Sequence, residues 1–450
     1  MVSMYALYTG LLALALLFFY IPAYFIRYRV LRGEKLYLRE RLGGGLKKLP
    51  RPSPAHPTIW FHAVSVGELI SLQKLIVSLK DKHPDWDISL SCLTSSGMKV
   101  AQSKLKTVER IFFIPFDFGF ILRKYFRYLK PQLLVLVESE YWPNLLRTAR
   151  RMKCPVVVIN ARMTEEAFRR YARLKALTAC LLNQVEEFLV QTEEEKERLR
   201  LLGVGEEKII VSGNMKCDLE LPRFSADELA EMKKKFGLER ELSAQPAKIL
   251  VAGSIHQGEE EPIIRAFTQA RQKGSPYLLI LAPRHLEMAE SVARVCQQYG
   301  LVCQRRTKLA EGQFMTPEAK ANRNQTAPWD VLILDTIGEL ASLYALADIV
   351  FIGGSLVPHG GHNLLEPAFY GRPLFFGPHM DNFKYLAQKF IQTGGAREIK
   401  DEAELIYILT QTREEELKAM GEKAQQTLKT LQGATELIIR EIEKFVTRNE

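Results

Sequence analysis

The stretch Gly353-Gly354-Ser355-Leu356-Val357-Pro358-His359-Gly360-Gly361-His362-Asn363-Leu364-Leu365-Glu366-Pro367 follows directly on the apolar run Ala347 to Ile352. A strand that feeds a glycine-rich turn and then a helix start is an arrangement by which a chain presents free backbone N–H groups to an anion. Asn363 and Glu366, three apart on a first helical turn, would set an amide beside a carboxylate, and a carboxylate suits a ribose diol better than a phosphate. The competing reading is a plain strand-to-helix turn, in which the glycines serve backbone geometry alone.

Other strand ends carry further chemistry. Ser65-Val66-Gly67-Glu68 places an acid at a helix N-terminus, where the dipole favours the ionised carboxylate that a general base needs, although an acid there also stabilises its own helix. Glu138-Ser139-Glu140-Tyr141-Trp142 sets two acids and aromatics at a strand end, and Ser212-Gly213-Asn214-Met215-Lys216 ends in a cation that could meet an anion. In the second half, Gly253-Ser254-Ile255-His256 and Pro283-Arg284-His285 bring polar and basic groups to strand ends. Arg284 is a natural phosphate partner because its guanidinium is planar and permanently charged. The backbone of Ile337-Gly338-Glu339, after another strand, could read the edge of a base.

The elements that must hold these groups are legible in the apolar rhythm. Strand-length runs at Thr58–Ala63, Ile88–Thr94, Ile111–Phe116, Leu133–Glu138, Val156–Asn160, Glu187–Gln191 and Lys208–Ser212 alternate with amphipathic helices. A second series reads Ile249–Gly253, Tyr277–Ala282, Leu301–Arg305, Val331–Leu334, Ile349–Ile352 and Leu374–Phe376. This is the pattern of two α/β domains with parallel sheets, whose ligands gather where strands end and helices begin. The division expected is a membrane anchor over 1–26, a basic juxtamembrane segment over 27–57, and a first Rossmann-like domain over 58–220. A linker over 221–246, a second Rossmann-like domain over 247–415 and a C-terminal helix over 416–450 complete it. The polar segment Lys308–Pro328 reads as a loop.

Tyr5 to Ile26 runs 22 residues without a charged side chain, long enough to cross a hydrocarbon core. Nine basic residues against two acidic ones then lie between Arg27 and Arg51, so most of the formal charge of +10 is local. The positive-inside rule puts the remainder of the chain in the cytoplasm; an interfacial helix is the main alternative and a cleaved leader the lesser one. The local charge suits an anionic membrane surface, and no nucleic-acid partner is expected, because basic and acidic residues are interleaved elsewhere. Six cysteines without C-x-x-C or zinc spacing read as reduced thiols. No G-x-G-x-x-G after a strand, Walker loop, H-E-x-x-H or G-x-S-x-G is present, which counts against dinucleotide oxidoreductases, NTPases, zinc hydrolases and α/β-hydrolases. Asp85-Trp86-Asp87 mimics a metal-binding D-x-D, but it precedes its strand and is read as a solvated turn.

Taken together, Val64–Glu68, Glu138–Asn144, Asn160-Ala161-Arg162, Gly213–Lys216, Pro283–His285, Asp335–Leu340 and Gly353–Glu366 resemble the 3-deoxy-D-manno-octulosonic acid (Kdo) transferases of lipopolysaccharide synthesis, over nearly the whole chain. The resemblance implies a GT-B fold, with two Rossmann-like domains facing across a cleft behind an N-terminal membrane-anchor helix. It also implies CMP-Kdo as donor, a lipid A precursor as acceptor, the inner membrane as location, and neither metal nor cofactor. By the same resemblance Glu68 is the general base, Glu138 and Lys216 stabilise the transition state, and Pro283, Arg284, Ile337, Gly338, Glu339, Asn363, Leu364, Leu365 and Glu366 hold the nucleotide. Ser65, Gly67, Glu140, Asn160, Arg162, Ser254, His256, Gly353, Gly354 and His362 are expected as further donor or acceptor contacts. Tyr141 stands where the family favours leucine and is expected beside the acceptor. A UDP-sugar enzyme with a lipid-linked acceptor, and a non-catalytic membrane-tethered nucleotide-binding protein, are the alternatives.

Overall fold

The computed structural model describes residues 2–23, 37–242, 244–309 and 329–447. The juxtamembrane residues 27–36, the end of the expected anchor at Tyr24–Ile26, most of the polar loop Lys308–Pro328 and the last three residues lie outside them. The chain divides into two compact units, one of Met1–Asp218 with Gln432–Glu450, the other of Leu219–Leu431.

The first unit is a wholly parallel seven-stranded sheet in the order β3-β2-β1-β4-β5-β6-β7. Its strands are β1 (Thr58–Ala63), β2 (Asp87–Cys92), β3 (Arg110–Phe113), β4 (Leu133–Val137), β5 (Val156–Ala161), β6 (Glu187–Val190) and β7 (Ile209–Val211). Strand β1 is buried on both sides, so its residues alternate between two cores: Ile59, Phe61 and Ala63 enter one, Trp60 the other. The helix Val66–Lys82 meets the first core through Leu69, Leu72, Leu75, Ile76 and Leu79, the spacing of one helical face. The last helix, Ala434–Thr447, adds Ile438, Ile439, Ile442 and Val446 to that core. Each such side chain, once buried, contributes about 1.5–3 kcal/mol.

The second unit repeats the plan with sheet order β12-β13-β11-β10-β14-β15-β16, again all parallel. The strands are β10 (Lys248–Ile255), β11 (Tyr277–Pro283), β12 (Cys303–Arg305), β13 (Val331–Ile333), β14 (Ile349–Ile352), β15 (Leu374–Phe376) and β16 (Ala396–Glu398). Residues 221–246 are folded into this unit: they hold the helix Ala226–Lys235 and a hairpin of β8 (Glu241–Leu242) and β9 (Gln245–Pro246), and they bury Phe236 and Leu238. The C-terminal stretch read as one helix is two, Glu414–Thr430 in the second unit and Ala434–Thr447 in the first.

Of Asp85-Trp86-Asp87, Asp85 lies exposed in a turn as expected, but the other two residues do not. Trp86 is buried and stacks on His83, while Asp87 is buried, ion-pairs with Arg110 at 3.1 Å and accepts the Ser53 N–H. The aspartate is a brace between β2 and β3. At the N-terminus, a helix from Val2 to Ala15 continues through the wider turns of Leu16–Tyr20, and Met4–Ala23 is long and apolar enough to cross a membrane.

Candidate functional site

In the first sheet the strand order reverses once, between β1 and β4; in the second it turns between β10 and β14, with β13 inserted between β11 and the edge strand β12. Such a switch point opens a crevice at the strands' carboxyl ends, the place where open α/β sheets bind ligands.

At the first switch point, Glu68 sits just beyond β1. Ser65 caps the helix by accepting the Glu68 N–H at 3.2 Å, and the Glu68 carboxylate returns to accept the N–H of Val64 at 2.7 Å and of Ser65 at 3.2 Å. This reciprocal cap gives the residue a structural role and fixes its carboxylate at the same time. Burial pushes the carboxyl above the usual range, the charges of Glu138 and Glu140 push the same way, and the two N–H donors oppose them. Ser65 and Gly67 remain exposed in the same turn.

Glu138 follows β4 with φ 61°, in the left-handed region, and Lys216 Nζ lies 3.6 Å from its Oε1. Glu140 accepts from Trp142 Nε1 at 2.8 Å, and burial raises its carboxyl. Asn160, at the end of β5 and also left-handed at φ 51°, is fully buried; its Oδ1 accepts the Met215 N–H at 3.1 Å, and Asn214 Oδ1 accepts the Lys216 N–H at 2.9 Å. Asn160 therefore shapes the turn that carries Lys216 and is not itself open to a ligand. Arg162 is half-buried near Glu195, whose raised carboxyl it helps to pull back down, and no ion pair joins them. Tyr141 is buried against Tyr171 and Phe188, with its hydroxyl 3.5 Å from the Glu138 carbonyl, so it supports the strand end that carries Glu138 and Glu140 from behind.

The glycine loop of the second unit departs from expectation. The N–H groups of Gly354, Ser355 and Leu356 do not stand free for an external anion, because the buried carboxylate of Glu259 accepts all three at 2.6, 2.9 and 2.8 Å, with the His256 N–H as a fourth at 2.8 Å. Gly353 is demanded by packing, since a Cβ there would lie 2.5 Å from the backbone of Ser254 and Ile255. Beside this loop, His256 and His362 meet Nε2 to Nε2 at 2.8 Å with parallel rings, so one nitrogen carries the proton and the other accepts it. His359 stacks on His256 at 4.1 Å and His285 meets its edge at 5.7 Å. Burial, His256 and Arg284 together push His362 down to about 4. Ser254 adopts φ 58° at the same bend.

Pro283 closes β11, and Arg284 donates its N–H to the Ile255 carbonyl while its side chain stays exposed, without an ion pair among the described residues. Ile337 is 86% exposed and Gly338 has φ 95°, so the loop after β13 offers backbone and an apolar side chain to solvent. The Glu339 carboxylate is engaged by Thr336 and Arg306, which hold it ionised despite burial that opposes them. Asn363 Nδ2 donates to Glu366 Oε1 at 3.0 Å, the expected side-by-side amide and carboxylate, and burial raises the Glu366 carboxyl. Leu364 and Leu365 are buried, so they anchor the short helix and present only backbone. His285 and His359 lie in stretches that the sequence singles out but were assigned no role of their own, and neither was Glu259, which follows the same strand end as His256 by a few residues.

A model of the family described as 3-deoxy-D-manno-octulosonic-acid transferase matches residues 37–219. The 3-deoxy-D-manno-octulosonic acid transferase of Haemophilus influenzae is 28% identical over 399 residues, covering 88% of this chain and 89% of that protein. The transferase of the same name from Chlamydophila psittaci is 31% identical over 360 residues, 78% of this chain and 76% of its own. The solved UDP-GlcNAc 2-epimerase of Neisseria meningitidis covers 86% of this chain and all of its own at a TM-score of 0.57; at 14% identity it is a likeness of fold alone, and that fold is GT-B. By sequence similarity extending over three-quarters or more of these relatives, and with the two switch-point sheets in place, the chain belongs to the Kdo transferase family.

Proposed function

We propose that this protein is an inverting glycosyltransferase that moves Kdo from CMP-Kdo to a lipid A precursor, lipid IVA, in lipopolysaccharide core biosynthesis. It works at the cytoplasmic face of the inner membrane, with the apolar N-terminal helix and the basic residues after it as the means of attachment. Family membership supports the donor and the reaction. The observation that carries the residue roles is the buried Glu68 carboxylate, held by two N–H groups at the switch point that also bears the Glu138–Lys216 pair.

Glu68 takes the proton from the acceptor's sugar hydroxyl; a carboxyl raised by burial is the better base for it. Departure of CMP leaves an oxocarbenium-like centre next to the donor's own carboxylate. Glu138 faces the developing positive charge, and Lys216 meets the donor carboxylate or the leaving phosphate. Attack from the opposite face inverts the anomeric centre and forms an α-linkage. In the second unit Arg284 takes the phosphate, the Ile337–Glu339 backbone the base, and the Asn363–Glu366 pair the ribose diol. The reading calls on no metal or cofactor besides the donor.

The test is transfer from CMP-Kdo, generated in situ, to tetra-acylated lipid A precursor, with products resolved by mass. Kdo increments are expected from the wild type, and Glu68→Gln should bind CMP normally while losing on the order of 10²–10⁴ in rate. Full turnover by Glu68→Gln would remove the base assignment, and no increment beside an active control transferase would remove the donor assignment.

A further inference from the structure

The N-terminal helix passes the length and composition test for a membrane span, yet its side chains describe a different placement. Gln184 Nε2 donates to the Tyr5 hydroxyl at 2.7 Å, the Arg147 guanidinium lies 4.3 Å above the Tyr5 ring, and Asn144 Nδ2 donates to Thr9 Oγ1 at 3.0 Å. Further along, Leu12 and Leu16 pack on the core beneath, and Tyr20 meets the edge of Phe116 at 5.6 Å. Residues 5, 9, 12, 16 and 20 form one helical stripe. Docking therefore runs about 22 Å along the helix, at 1.5 Å per residue. The opposite stripe, Leu7, Leu11, Leu14 and Phe18, is more than half exposed at every position. The helix also walls an apolar cavity of about 850 Å³ that includes Leu93, Phe116 and Trp142, which would open if the helix left.

A span and a docked helix exclude each other. With the basic segment held on the cytoplasmic side, a spanning helix would carry Tyr5 and Thr9 most of the way through a hydrocarbon core about 30 Å thick, where Gln184, Asn144 and Arg147 of the globular unit cannot follow. We propose that the helix is monotopic: it stays docked on the first unit, and its outward stripe lies in the plane of the cytoplasmic leaflet. The partner is a leaflet with anionic headgroups, since exposed Arg39, Lys47, Lys48 and Arg51 and exposed Leu42 and Phe120 belong to segments that share a core or a cavity wall with the helix, through Leu46, Leu49 and Phe118 in the one and Tyr37 and Arg41 in the other. The inference rests on the membrane location proposed above and replaces the transmembrane anchor with an in-plane one.

The experiment uses full-length protein in intact cells. Ser3→Cys is probed with a membrane-impermeant maleimide added outside, and Thr9→Cys with Asn144→Cys is oxidised in isolated membranes. Because Asn144 also bonds Asp117, Tyr5→Cys with Gln184→Cys is a second pair that leaves it intact. The expected result is protein in the membrane fraction, labelling of Ser3→Cys only after the cells are opened, and an internal disulfide in at least one pair. Labelling from outside, or membrane protein in which neither pair closes, would overturn the monotopic placement and leave the membrane location standing. Recovery of the wild type in the soluble fraction would overturn both.

Discussion

Replacing Glu259 by Gln removes half of the acceptor capacity beneath the glycine loop of the second unit. The carboxylate serves four backbone N–H groups, two on each oxygen: Ser355 and Leu356 on Oε1, His256 and Gly354 on Oε2. A glutamine keeps one oxygen and sets an NH2 against the other two donors, so two charge-assisted bonds are lost in a site with no exposure. At about 1.5–3 kcal/mol for each bond to a charged group, the local cost is about 3–6 kcal/mol, a large share of the 5–15 kcal/mol that holds a typical domain. Two units make a single unfolding free energy ill-defined, so the assay is amide hydrogen exchange read at Gly354–Leu356. At about 1.4 kcal/mol per tenfold, exchange there should quicken by about 10²–10⁴, with peptides of the first unit unchanged. A change below about tenfold would mean that the carboxylate is not what organises the loop.

Two further outcomes follow from the first unit. Glu68 must be ionised to act as a base, so the rate falls as pH drops through its raised value. Removing a neighbouring negative charge by Glu140→Gln should let that value fall and move the acidic limb of kcat/KM to lower pH; an unmoved limb would detach Glu140 from the base. The buried Asp218 carboxylate accepts the Gly433 and Thr435 N–H groups at 2.6 Å each, capping the last helix, so Asp218→Ala should cost about 1–2 kcal/mol and raise hydrogen exchange in Ala434–Thr447.

Strands buried on both faces were legible because they must be apolar throughout; Thr58–Ala63 and Leu133–Val137 read directly from the sequence. Strand β16 was not, since Ala396–Glu398 is three residues long at a sheet edge and buries only its alanine. Residues 221–246 hid in the same way: two buried apolar side chains, Phe236 and Leu238, fold a charged segment into the second unit. The N-terminal helix defeats pattern reading for the opposite reason. Both of its stripes are apolar, so no periodicity separates the docked face from the free one, and only the partners of Tyr5 and Thr9 identify it. Strand-end chemistry was legible as a set of positions, but the occupant of the glycine loop was not, because Glu259 lies 95 residues from Gly354 in the chain.

What no residue pattern displays is φ. Glu138, Asn160 and Ser254 all adopt left-handed backbone at strand ends beside the two switch points, where a side chain costs about 1–3 kcal/mol in strain. A glycine would relieve each position and would remove the group placed there. At Asn160 the bend aims Oδ1 at the Met215 N–H, which sets the turn that brings Lys216 within 3.6 Å of Glu138, itself held on a strained bend. Two strained residues and one buried amide thus fix the distance between the cation and the carboxylate on which the proposed chemistry depends. Strain of this kind persists only where the surrounding structure over-determines the backbone, and here the sheet, with β4 and β5 paired in register up to Val137 and Ile159, supplies that constraint.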